Sequence, residues 1–246
     1  MRTLRSLLTP FTDALNGLDR CLDRGARGLL FAALGLLAAW WIYVPTHELL
    51  HAAACRALGG EVTRLEIDRL YGGTLIARAL PFVVPASAYA GRLSGFDTHG
   101  SDLIYLATDL GPFLLTLFPG VWALRRAAAA RSAALFGASL PFALAPFLSL
   151  SGDAYEIGSI LATRLPPWAA PATRTLLRGD DLGKKLGELA SVPGAPGGGA
   201  LLPHPRGGGW GFLTYGLGGA VARALGQGPV RRPTASPSPS PERRSR

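Results

Sequence analysis

Three side chains in one stretch of the chain have the types and the spacing for metal chemistry. His47, Glu48 and His51 form H-E-x-x-H inside the run Trp40 to Cys55. On a helix the two histidines, four residues apart, share one face. Two imidazoles so placed can bind one zinc ion, which prefers nitrogen and sulfur ligands in a tetrahedron. Glu48 sits beside the first ligand, positioned as the general base of metal-assisted hydrolysis. The bland reading is a chance pattern of two packed histidines. The setting weighs against it: the motif continues a long apolar run, where ionisable side chains are costly and are functional candidates by default.

Two histidines leave a catalytic zinc short, since such sites usually take three protein ligands and one open position. Asp153, far along the chain at the end of an apolar segment, is one candidate. Asp109, within another apolar segment, is a second. Asp97 and His99 lie in a loop, and Glu156 follows Asp153 by about one helical turn. Cys55 continues the histidine stripe at i+4, but one straight helix places it too far to join both imidazoles. It reads better as a small buried residue.

The elements that must position these groups emerge from composition and pattern. The 246 residues carry only 17% charged side chains, against about 25% in ordinary soluble domains, and the mean hydropathy is +0.25. Together these predict an all-α membrane protein, a polytopic helical bundle of three or four spans, with a small β-hairpin after the H-E-x-x-H helix. The net charge of +9 fits contact with anionic lipid headgroups, because arginines flank the apolar segments. No aromatic-and-basic motif points to nucleic acid. Cys21 and Cys55 make no CxxC pair and no disulfide framework.

Residues 1–27 read as an interfacial amphipathic helix. Leu4, Leu7, Leu8, Phe11, Leu15, Leu18 and Leu22 recur at spacings of three and four, and Thr9-Pro10 starts its main part. Packing of this helix on the protein's own surface is the equal alternative. No secretory signal is expected, because no small-residue cleavage site comes after the apolar stretch. Residues 28–162 form the expected membrane-embedded core. Gly28 to Val44 is 17 residues without a charge, and Pro45 could kink the helix just before the histidines. Glu61 to Ala79 changes period and reads as a β-hairpin turning at Gly72-Gly73. Residues 80–100 read as an irregular loop. Leu103–Leu124, broken at Asp109-Leu110-Gly111-Pro112, and Ser132–Leu150, with Pro141 and Pro146, are the next membrane candidates. Residues 163–209 read as a soluble charged segment, helical over 174–190, and then a Pro/Gly linker. Residues 210–225 are a fourth span or an interfacial segment, and 226–246 a disordered Pro/Ser/Arg tail. The basic N-terminus and the 125–131 turn should share the cytoplasmic side, with the tail joining them if a fourth span exists.

HELLHAAACRALGG, inside an apolar helix and succeeded by a strand pattern, resembles the site-2 protease family of intramembrane zinc metalloproteases. In that family a distant aspartate in a later membrane helix, usually in an L-D-G context, is the third ligand. The resemblance implies that role for Asp153, in Gly152-Asp153-Ala154. Asp109-Leu110-Gly111-Pro112 is similar to the family's G-P segment, which packs near the site. The chain departs from the pattern in carrying Leu115 in place of the asparagine after G-P, and Ala154 in place of the glycine after the aspartate. The resemblance also implies a membrane-anchored protein substrate, a lipid bilayer around the core, and a place in the inner (plasma) membrane. Substrate identity, regulation and oligomeric state stay open. Two rivals stand beside this expectation: a catalytically inactive scaffold that keeps the fold, and a proton or ion path through His47, Glu48 and Asp153.

Overall fold

The computed structural model describes residues 8–164, 179, 182, 185 and 204–230. The chain runs α1 (Thr9–Leu22), α2 (Gly25–Ala57), β1 (Glu61–Ile67), α3 (Gly73–Ala79), β2 (Val83–Val84), β3 (Gly91–Asp97), α4 (Asp102–Leu110), α5 (Val121–Ala129), α6 (Ala133–Ala143), α7 (Ala145–Leu148), α8 (Asp153–Arg164) and α9 (His204–Ala224). It is mostly helical, with one small three-stranded sheet.

The long helix α2 is the axis. It passes through Pro45 without splitting, although proline removes one backbone donor. Its 33 residues span about 50 Å at about 1.5 Å rise per residue. Its inward stripe is Gly28, Ala32, Ala39, Tyr43, His47, His51 and Cys55, spaced by four with one step of seven, which keeps them on one face. The first half of this stripe is small, so α6 approaches backbone to backbone. A Cβ on Gly137 would lie 1.8 Å from the Ala32 carbonyl oxygen, and one on Gly35 would lie 2.0 Å from that of Ala134. Small residues at helix contacts are the membrane-protein solution to close packing. The outer face shows Leu29, Leu30, Phe31, Leu34, Leu37, Trp41 and Ile42 to the surroundings. Two stretches, Gly25–Ala57 and Asp102–Ala129, are long and apolar enough to cross a membrane; Ala133–Ala143 is apolar but shorter.

The expected hairpin is replaced by a sheet of order β2-β1-β3. Val62, Leu65 and Ile67 of β1 are buried against the end of α2. β2 pairs parallel to β1, Leu65 opposite Val83. β3 pairs antiparallel, Glu61 opposite Asp97 and Ile67 opposite Gly91. Gly72-Gly73 is not a hairpin turn. Asp68 accepts a hydrogen bond from the Leu70 amide, Gly72 takes a φ of +82°, and the chain continues into α3, whose Ile76 and Ala77 pack on the sheet. The antiparallel partner comes from 91–97 instead, inside the stretch expected as an irregular loop. Along β1 the Arg64 Nε donates to Glu66 Oε1 at 2.9 Å, and from β3 the Ser94 hydroxyl donates a second bond to the same oxygen. The Arg64 bond, chiefly, holds the Glu66 carboxyl below the usual carboxylate range.

The helix 1–27 is shorter than expected, since α2 already begins at Gly25. In α1, Phe11, Leu15, Leu18 and Leu22 face outward while Asp13, Gly17 and Cys21 are buried. Asp13 accepts hydrogen bonds from Arg125 Nε at 3.2 Å, Tyr215 hydroxyl at 3.0 Å and the Val230 amide at 3.1 Å. Arg125 also donates to the Gly219 carbonyl. This buried group ties α1 to α5, to α9 and to the segment after α9. It corrects two boundaries. The linker assigned to 191–209 yields to α9 at His204, and the tail assigned to 226–246 is docked as far as Val230. The charged helix expected over 174–190, and residues 231–246, lie outside the described residues, apart from positions 179, 182 and 185.

α9 packs along α8 and along the π-turn Thr116–Gly120. In the second apolar run α4 gives way to a tighter turn over Gly111–Phe113, near the expected break, and the backbone leaves helical geometry only later, at Phe118. Gly111 lies against α2, where a Cβ would come 2.6 Å from the Leu50 carbonyl oxygen. At the opposite end of the molecule the end of α1 meets the turn between α5 and α6, with Arg20 Nη1 donating to the Ala128 carbonyl at 3.2 Å.

Candidate metal centre

His47 and His51 project from one face of α2 and are each about nine-tenths buried. Their Nε2 atoms are 3.2 Å apart. Asp153, the first residue of α8, faces both: Oδ2 is 3.2 Å from His47 Nε2 and Oδ1 is 3.5 Å from His51 Nε2. Among the described residues these three form a group that could hold a metal ion, with ligand atoms all within 4.8 Å of one another.

The far side of each imidazole is engaged, which sets what its near side offers. His51 Nδ1 lies 2.8 Å from the Thr108 carbonyl of α4. A carbonyl only accepts, so Nδ1 carries the proton, and in the neutral ring Nε2 presents a lone pair. His47 Nδ1 is 3.0 Å from the Tyr43 hydroxyl, one turn earlier on the same stripe. Ring partners of this kind orient metal-binding histidines. Asp153 is set by the residue at the end of α7: its amide donates to Ser149 Oγ at 3.1 Å, and the Ala154 amide donates to the Ser149 carbonyl. Asp153 Oδ2 is buried with no hydrogen-bond partner. Acceptor atoms converging in a buried space repel one another unless a cation or a proton lies between them, so the donor set fits a divalent cation.

Glu48 comes directly after His47 on α2 and turns toward the sheet. A Cβ on Gly91, the first residue of β3, would lie 2.4 Å from Glu48 Cγ and 3.1 Å from Oε1. The carboxylate is close enough to His47, His51 and Asp153 to feel their charges.

Of the other candidates, Asp109 is buried on α4 but is outside the group. Asp97 and His99 are exposed and pair with each other, Nδ1 to Oδ2 at 3.5 Å. Glu156 accepts a hydrogen bond from the Tyr105 hydroxyl. Cys55 is buried beside the Glu61 carbonyl. None of these residues joins His47, His51 and Asp153. Tyr43, Thr108, Ser149 and Gly91 are positioning residues that the sequence pattern did not single out. Tyr43 alone carried a signal, its i−4 spacing from His47. The other three become visible only when α4, α7 and β3 are brought against α2.

Comparisons with family models, with curated proteins and with solved structures found no match to this chain.

Proposed function

We propose that this chain is an intramembrane zinc metalloprotease, similar in plan to the site-2 family, that hydrolyses peptide bonds of membrane-anchored proteins. The observation that carries the reading is the convergence of the ligand atoms: the two Nε2 atoms are 3.2 Å apart, and the Asp153 carboxylate reaches His47 with Oδ2 at 3.2 Å and His51 with Oδ1 at 3.5 Å. Ligands about 2.0–2.2 Å from a tetrahedral zinc stand about 3.3–3.6 Å from each other. His47, His51 and Asp153 would hold the ion. Bound there, zinc would supply Lewis-acid polarisation of the scissile carbonyl and make water acidic near neutrality. The protein's own part is proton traffic and placement. Glu48 takes the proton of the attacking water and returns it to the leaving amine, one carboxylate serving both halves of the reaction. Thr108 and Tyr43 keep the imidazoles aimed. β3 is an edge strand, and an extended substrate segment adding beside it would start at Gly91, against Glu48.

The exposed apolar face of α2 and the two span-length stretches support a place in the bilayer, with the inner (plasma) membrane as the proposed site. The end of α1 lies against the basic α5–α6 turn, which supports one shared, cytoplasmic side for both.

The deciding experiment measures zinc per chain and cleavage of a membrane-anchored reporter in purified protein. About one zinc is expected in the wild type, lost in His47→Ala and Asp153→Ala and kept in Asp109→Ala. Glu48→Gln should keep the metal and lose cleavage by about three orders of magnitude or more. Zinc retained with no cleavage by wild type would favour the inactive scaffold. A folded protein with no stoichiometric zinc would favour the proton path, since a proton between His47 and Asp153 also accounts for their 3.2 Å separation.

A further inference from the structure

Far from the histidines, the inner face of α1 and the α5–α6 turn enclose a cavity of about 380 Å³. Arg20, Arg24 and Arg131 line it, with one carboxylate, Asp23. Arg20 is anchored by its bond to the Ala128 carbonyl. Arg24 and Arg131 are exposed and make no side-chain hydrogen bond or ion pair among the described residues. The cavity also takes in Ser132 and Ala133, where α6 begins and the Ser132 hydroxyl caps the Leu135 amide. Its floor is apolar. Phe136 lies over Gly17, where a Cβ would come 2.2 Å from the ring.

We infer that this cavity binds a phosphate group, carried by an anionic lipid headgroup or by free phosphate. Three guanidinium groups against one carboxylate leave an excess of positive charge, and the planar donor fork of arginine matches phosphate oxygens. The location suits a headgroup. The exposed apolar side chains of α2 begin at Leu29 and Leu30, just beyond Arg24, and the outer face of α1 presents Leu15, Leu18 and Leu22. The cavity therefore opens at the rim of the exposed apolar surface. None of its residues belongs to the metal centre, so the inference stands apart from the protease reading; only the lipid source draws on a place in the membrane.

The test is the thermal unfolding midpoint of the full chain under two comparisons. One sets nanodiscs of phosphatidylcholine against nanodiscs about one-third phosphatidylglycerol. The other sets inorganic phosphate against chloride, in detergent at equal ionic strength. Wild type should unfold several degrees higher with the anionic lipid. The pair Arg24→Gln/Arg131→Asn should lose at least half of that gain; asparagine is chosen because Arg131 has a φ of 50°, which it tolerates. The pair Arg78→Gln/Arg92→Gln, which removes the same charge from the sheet region, should keep the gain. A rise with free phosphate that depends on Arg24 and Arg131, without a rise with lipid, would support the site and identify a soluble ligand. Should the double variant fail to fold in phosphatidylcholine, each single variant is expected to lose part of the gain. The inference is overturned if neither ligand raises the midpoint, if the cavity variants keep the full gain, or if the sheet pair loses as much as the cavity pair.

Discussion

The imidazoles of His47 and His51 do not act alone; each is aimed by a group on its far ring nitrogen, and those groups can be removed one at a time. Tyr43→Phe deletes the hydroxyl 3.0 Å from His47 Nδ1 while keeping the ring that packs edge-on against Phe142. Loss of such an orienting partner costs roughly 10–100-fold in metal affinity, and competition against a chelator of known affinity measures it. A fold intact by circular dichroism with unchanged affinity would remove Tyr43 from the site. Gly91 is the second residue-scale test. Gly91→Val places methyl groups where Glu48 Cγ and Cδ now lie, so cleavage should fall at least tenfold while zinc content stays near that of wild type. Equal loss of both would mean that the substitution disturbs α2 as a whole.

α2 and α6 meet through glycine, and the contact has no room to give. A side chain at Gly137 would run into the Ala32 carbonyl at 1.8 Å, a backbone atom that cannot rotate away. Gly137→Val should therefore destabilise by about 3 kcal/mol, the upper range for overpacking. The readout is the denaturation midpoint in mixed micelles; a midpoint within error of wild type would show that the helices slide apart freely. α8 matters for another reason. It starts at Asp153, so the ligand is held by the amide bonds to Ser149 at the point where α7 ends. Ser149→Ala removes one of these bonds and should weaken metal retention more than it weakens folding.

Two junctions bring distant elements together, one at the candidate metal centre and one at Asp13. At the metal centre, an ion bound between α2 and α8 would join them, so binding should appear as stability. At free zinc about 100-fold above its dissociation constant, linkage gives about 2.7 kcal/mol, and chelation should lower the midpoint correspondingly in wild type and not in His47→Ala. At the other junction, Asp13 and Arg125 are almost fully buried together. Asp13→Ala would leave the guanidinium buried without its counter-ion, a change that costs about 3–5 kcal/mol. The same substitution frees the Val230 amide, so protease cleavage after α9 should quicken. A variant as stable as wild type, with no faster cleavage, would show that the charge pair carries little of the assembly.

Local pattern by itself determined the candidate chemistry and its axis. A period of four places His47 and His51 on one face whatever the rest of the chain does, and an uncharged run ending in that motif makes the helix apolar and long. It also located the end of α4 before Gly111-Pro112, but not the departure from helix at Phe118. Tertiary structure decided what depends on distant partners. Asp153 was one acid among several in the residue pattern, and only the family resemblance favoured it over Asp109; the placing of the first residue of α8 beside both histidines distinguishes it. Residues 73–79 were too short for periodicity to separate strand from helix, and the left-handed turn at Gly72 and the contact with the sheet made them α3. Residues 91–97 looked irregular because Gly91 and Gly95 carry no side chain to show an alternation, yet those absences are what allow Glu48 and β1 to come close. Asp13 belongs to the segment read as an interfacial amphipathic helix, and only the arrival of Arg125 and Tyr215, more than a hundred residues away, makes it the centre of a buried junction.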